Sequence, residues 1–165
     1  MLSGVPLGMA QATTARVQAP SPEPIDPIEP PSIAPRRGDI LVIEDRNDVR
    51  QGLTQLLELH GFLVLDAADG GRALEHLETD PHGIALVLLD LMLPGSLSGD
   101  QLRLRQLDDE RIATIPTIVV SACEPDGERW AQLKPEAWLE KPFRFDDLLE
   151  IVKRYVVPEG GMREQ

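Results

Sequence analysis

The sequence predicts an α/β fold: a doubly wound, five-stranded parallel sheet with helices on both faces. Three observations carry this. Short, unbroken apolar runs recur five times between residues 39 and 140, helical periodicities fall between them, and carboxylates stand where several runs end. An unbroken run, rather than an alternating one, is what a strand buried on both faces requires. Alternation of such strands with helices makes βαβ units with right-handed crossovers, which place helices on both sides of one sheet.

The first run is Ile40, Leu41, Val42 and Ile43, leading into Glu44 and Asp45. Val49, Leu53, Leu56, Leu57 and His60 then follow a 3.6-residue period, and Gly61 stops that helix. A second strand is expected at 62–65. Ala73, Leu74 and Leu77 mark a second helix that ends near Asp80 and Pro81. The third strand spans 84–89 and leads into Asp90. Residues 102–107 give a poorer third helix, and a fourth strand is expected at 115–120. Residues 123–136 hold Pro125, Gly127 and Pro135, so the fourth helix should be short or distorted. A weak fifth run covers 137–139. Phe145, Leu148, Leu149, Val152, Tyr155 and Val156 form the clearest helical stripe of all. Asp146 and Asp147 lie in its first turn and Lys153 and Arg154 near its expected end, which suits the helix dipole.

Residues 1–38 have a different texture. They contain eight of the fifteen prolines, and residues 20–35 read PSPEPIDPIEPPSIAP. Proline fixes φ and removes a backbone donor, so this stretch is expected to be a disordered, polyproline-like tail. Residues 39–157 form the folded domain, and 158–165 a short flexible C-terminal tail. The 165 residues carry 16 Lys+Arg against 28 Asp+Glu, a net charge of −12. That balance argues against direct DNA binding, since phosphate backbones attract basic surfaces. Cys123 is the single cysteine, so no disulfide framework is expected. No run approaches the roughly 20 apolar residues that span a bilayer, and the N-terminus lacks the pattern of a secretory signal. A cytoplasmic protein with no membrane partner is the expectation.

Ligands of open parallel sheets gather beyond the carboxyl ends of the strands. There the sequence offers Glu44 and Asp45 after the first run, Asp90 after the third, Ser121 after the fourth and Lys141 just past the fifth. If strands one, three and four are neighbours, these converge on one shallow pocket. Crowded carboxylates repel unless a cation intervenes, and hard oxygen ligands suit Mg²⁺. Lys141 and Ser121 would contact phosphoryl oxygens, leaving one carboxylate free to act as a nucleophile. Singly, each residue has a plainer reading as a cap, a turn residue or a solvated charge; their joint placement is what points to a site. Trp138 and Trp130 can both be read as packing. His60, His76 and His82 lack metal-like spacing.

Four segments in order resemble the receiver domain of two-component response regulators, chemotaxis-regulator-like. They are Leu41-Val42-Ile43-Glu44-Asp45, Leu88-Leu89-Asp90-Leu91-Met92-Leu93-Pro94-Gly95, Val119-Val120-Ser121-Ala122 and Trp138-Leu139-Glu140-Lys141-Pro142-Phe143. The resemblance implies a flavodoxin-like strand order 2-1-3-4-5. It implies that Asp90 is the phosphoacceptor and that Glu44, Asp45, Asp90 and the backbone carbonyl of Met92 hold Mg²⁺. It also implies that Ser121 and Lys141 contact the phosphoryl group, that Ser121 and Trp138 form the switch, and that the Lys141–Pro142 bond is cis. Met92 and Cys123 occupy positions that influence phosphoryl loss in the family, which implies slow to moderate self-dephosphorylation.

The resemblance thus implies a stand-alone phosphoacceptor protein rather than an enzyme, with at most Mg²⁺-dependent self-phosphorylation from small donors and self-dephosphorylation. A histidine kinase or histidine phosphotransfer protein would supply the group, and a downstream protein would read it. The alternative is a degenerate receiver working as a phosphorylation-independent docking module. A dehalogenase-type phosphatase fits less well, because it wants a second aspartate where Met92 stands. The chain also departs from the family. The loop after Asp90 is about one residue longer than the commonest form, the interval from Ser121 to Lys141 is short, and Arg144 replaces a frequent capping aspartate.

Overall fold

A computed structural model describes residues 34–124 and 126–160. Residues 1–33, on which most of the tail expectation falls, lie outside the described residues, as do Pro125 and residues 161–165.

Strand and helix alternate throughout: β1 (Asp39–Ile43), α1 (Asn47–Leu59), β2 (Val64–Ala67), α2 (Gly70–Thr79), β3 (Ile84–Asp90), α3 (Gly99–Asp108), β4 (Thr117–Ser121), α4 (Gly127–Leu133), β5 (Ala137–Glu140) and α5 (Phe145–Val152). The five strands form one parallel sheet in the order β2-β1-β3-β4-β5. This is the order that the family resemblance implied.

Every residue of β3 is buried, and so is every residue of β4. Their unbroken apolar runs follow from having helices on both faces. Ile40, Val42, Leu86 and Leu88 pack on one side with Leu53 and Leu57 of α1 and Leu148 and Val152 of α5. Leu41, Ile43, Val87 and Leu89 pack on the other with Ala73 and Leu77 of α2 and Leu102 of α3. Each leucine, isoleucine or valine among them contributes roughly 1.5–3 kcal/mol by leaving water.

Several boundaries differ from expectation by a few residues, and three of them are informative. β2 begins at Val64, and Phe62 is buried in the turn before it, its N–H bonded to the Leu57 carbonyl. β4 begins at Thr117 because Pro116 has no N–H to give the ladder. α5 ends at Val152, although Tyr155 and Val156 are buried and prolong the apolar pattern. Beyond Val152 the chain turns and Val156 pairs with Arg36 in an isolated parallel bridge. Ordered pairing therefore reaches a few residues upstream of Asp39, and the Glu159 N–H bonds the Gly61 carbonyl at the far end.

α4 has seven residues, as its proline and glycine content suggested. It is fastened to α3 at both ends. Arg129 forms a two-pronged ion pair with Asp100 (2.7 and 3.2 Å). The buried Arg103 guanidinium donates to the carbonyls of Leu133 and Lys134, which the helix end leaves unpaired, and to Thr117 Oγ1. Arg144, at the N-cap of α5, makes no side-chain capping bond, in keeping with the missing aspartate.

Candidate functional site

Register brings the acids together. Ile43 lies opposite Leu89, and Asp90 opposite Val120. Glu44, Asp90 and Ser121 thus leave the sheet side by side from β1, β3 and β4. Ser121 lies opposite Glu140, so Lys141 leaves β5 at the same end. Glu44, Asp45 and Asp90 each offer a carboxylate oxygen within 4.8 Å of the others.

Lys141 Nζ donates to Glu44 Oε2 at 2.6 Å and to Asp90 Oδ2 at 3.1 Å. These partners are 97 and 51 residues away in sequence. The Met92 N–H donates to Asp90 Oδ1 at 2.9 Å, and the Arg46 N–H to Glu44 Oε1 at 3.1 Å. Glu44 and Asp90 are buried, at 2% and 5% exposure, whereas Asp45 is open to solvent. Burial pushes the Glu44 carboxyl above its ordinary range, with the nearby Asp90 charge acting in the same direction, against the Lys141 and Arg46 hydrogen bonds. Burial pulls the Lys141 ammonium down, but hydrogen bonds and charge from Glu44 and Asp90 leave it above the usual lysine range. The Lys141–Pro142 peptide is cis.

The loop that carries Asp90 is held by close backbone approach. The Gly99 N–H, at the start of α3, donates to the Leu91 carbonyl (3.2 Å). A Cβ on Gly99 would stand 2.4 Å from Leu91 Cα and 2.5 Å from the Asp90 carbonyl oxygen. Ser98 and Gln101 form a capping box at the same point, and Gly95 takes φ +90° in the loop between.

Ser121 is buried, and its Oγ accepts the Cys123 N–H at 3.2 Å. The Cys123 carbonyl in turn accepts Trp138 Nε1–H at 3.0 Å. Trp138 also stacks on Trp130, with ring centroids 6.2 Å apart and planes 25° apart. Trp130 thus packs on the other tryptophan at the surface, not in the core. His60 and His76 bond the Leu56 and Asp66 carbonyls and stay away from the acids.

The sequence reading did not single out Arg50. Its side chain is mostly buried and fastens the Glu44 carbonyl to Asp66 and Asn47. An arginine in the first turn of a helix reads as solvated, and only the register of β1 with β2 brings Asp66 within its reach.

Oxygen ligands that are closed on the protein side and open at Asp45 fit a hard divalent cation that keeps some of its water. The class defined by fold and pocket is therefore a doubly wound α/β domain with an acidic, lysine-bridged cleft at the carboxyl end of its sheet. The family described as response regulator receiver domain matches residues 40–153, and the chain belongs to it.

Among curated relatives, the response regulator receiver protein CpdR of Brucella abortus is 31% identical over 121 residues, 72% of this chain and 96% of that protein. The response regulator MprA of Mycolicibacterium vanbaalenii is 33% identical over 132 residues, 76% of this chain and 54% of that protein. The chain spans about half the length of several relatives it matches. Among solved structures, a sensor protein from Polaromonas sp. JS666 is 30% identical with a TM-score of 0.64, covering 73% of this chain and 96% of that one. TrrA of Thermotoga maritima, solved with Mg²⁺–BeF, is 25% identical with a TM-score of 0.61, covering 70% and 96%. Among the described residues no helix is long and apolar enough to cross a membrane.

Proposed function

We propose that this chain accepts a phosphoryl group on Asp90 from a histidine kinase or histidine phosphotransfer protein, and signals through a conformational switch read by a protein partner. The observation that carries this is Lys141, bridging Glu44 and Asp90 inside a cluster of three carboxylates drawn from distant parts of the chain.

Each residue then has a role set by its position. The Met92 N–H and Lys141 fix the plane of the Asp90 carboxylate, and each oxygen keeps a further lone pair. One Asp90 oxygen forms a bond to phosphorus as the P–N bond of the donor phosphohistidine breaks, its electron pair staying on the imidazole nitrogen. Glu44, Asp45, Asp90 and the Met92 carbonyl would hold Mg²⁺. When bound, that ion supplies Lewis-acid compensation of the phosphoryl charge. Lys141 has three donors and can turn one to a phosphoryl oxygen.

Ser121 and Trp138 form the switch. If Ser121 Oγ turns to the phosphoryl group, it gives up the Cys123 N–H, and Cys123 is the residue whose carbonyl holds Trp138. Phosphorylation adds about −1.5 to −2 of charge, by analogy with phosphoserine. The free energy of the switch is the difference between the contacts of the two states.

The test is incubation with a small phosphodonor, read by intact mass. The parent should gain one phosphoryl group in MgCl₂ and little without it, and Asp90→Asn should gain none. Equal labelling of Asp90→Asn and parent would refute the assignment.

A further inference from the structure

We infer that Arg50 is a positioning residue for the acidic pair, a guanidinium that fixes the peptide between Glu44 and Asp45 and thereby the direction in which both carboxylates meet a divalent cation. The inference rests on the function proposed above and adds a residue to it.

β1 ends at Ile43, so the two acids stand on backbone that has left the strand. The Glu44 N–H still finds the Ala67 carbonyl at 3.1 Å. The Glu44 carbonyl belongs to the peptide that leads into Asp45, and Arg50 Nη1 donates to it at 2.9 Å. The guanidinium is itself tethered on two other sides. Its Nε donates to Asp66 Oδ2 on β2 at 2.8 Å, and its Nη2 to Asn47 Oδ1 at the start of α1 at 2.8 Å. One planar group therefore joins the end of β1, the edge strand and the first turn of α1. Its side chain is only 13% exposed, so the fork is packed as well as bonded.

Charge and position make opposite predictions here. Arg50 is a cation close to the proposed metal ligands. If its charge were all that mattered, removing it would tighten binding of a second cation. If it acts by holding the peptide, removing it weakens binding, because residues that orient metal ligands typically contribute about 10–100-fold in affinity. Lysine keeps the charge but has no fork, so it cannot hold the Glu44 carbonyl and Asp66 together.

The experiment titrates MgCl₂ alone into the parent, Arg50→Met and Arg50→Lys, by calorimetry and by the backbone amide shifts of Asp45 and Met92. Far-UV circular dichroism checks the fold. Arg50→Met should bind Mg²⁺ about tenfold more weakly than the parent, with Arg50→Lys between them. A purely structural arginine would lower the melting temperature without Mg²⁺ and leave the affinity of the folded protein unchanged. Arg50→Met binding as tightly as the parent, or more tightly, overturns the inference. Should Arg50→Met not fold, Arg50→Lys decides: weaker binding supports the inference and parental binding overturns it. A parent that does not respond to Mg²⁺ removes the function proposed above and this inference with it, whereas unchanged affinity in the Arg50 variants removes only the inference.

Discussion

At the carboxyl end of the sheet, Glu44, Asp45 and Asp90 share their space with the Lys141 ammonium and with the N–H groups of Arg46 and Met92. At the amino end, Asp39 feels the charges of Asp80 and Glu159, and with Glu58 and Glu159 it lines a hollow of about 510 Å³ in which no basic side chain stands among the described residues. The amino-end hollow is wider, yet among the described residues no cationic side chain lines it to compensate an anion. Carboxylates make a candidate site when most of them are buried, when backbone donors aim them, and when a cation joins them. A net charge of −12 guarantees acidic neighbours somewhere on the surface, so their mere proximity identifies little.

The comparison is broken most strongly by Lys141→Met, which makes the carboxyl end resemble the amino end. Phosphodonor labelling should slow by about 100-fold, the scale seen when one aimed donor is removed from a reacting oxygen. A time course of mass gain measures it, and parental kinetics would show that the ammonium is incidental. Gly99→Ala should come next. Its Cβ would press on backbone at 2.4 and 2.5 Å, which must shift the loop bearing Asp90. Thermal or urea unfolding should show a loss of about 1–3 kcal/mol, with slower labelling in the protein that remains folded.

The smallest effect belongs to the amino end. Burial, with the charges of Asp80 and Glu159, raises the Asp39 carboxyl above its ordinary 3.8. The folded state therefore holds that proton more tightly than the unfolded chain does. Ionised Asp39 then subtracts from stability as pH rises through the raised value. Asp39→Asn should melt slightly higher than the parent at pH 7, the gain fading as pH falls toward 3.8, with labelling unchanged. A melting series across pH, paired with the labelling assay, checks both halves.

Much of this arrangement was legible in the residues. β3 and β4 are buried on both faces, so their apolar runs are continuous, and Asp90 and Ser121 stand out as the polar residues that end them. α3 was faint for the opposite reason. Arg103 and Gln106 occupy buried positions where apolar residues would mark a helix, and their polar atoms are satisfied by Thr117, Leu133, Lys134, Ile112 and Ile115. Tyr155 and Val156 misled in the other direction, because burial continues past Val152 after the helix has ended. Arg50 was invisible because Asp66, the partner that completes its fork, lies on β2 and is brought within reach only by the fold.

The most direct measurement identifies the residue that carries the phosphoryl group. The parent is labelled with a small phosphodonor in MgCl₂, reduced with borohydride to convert an acyl phosphate into an alcohol, and mapped by peptide mass. Homoserine at position 90 is expected. Modification at Glu44, at Asp45 or anywhere else, with position 90 untouched, would contradict the account.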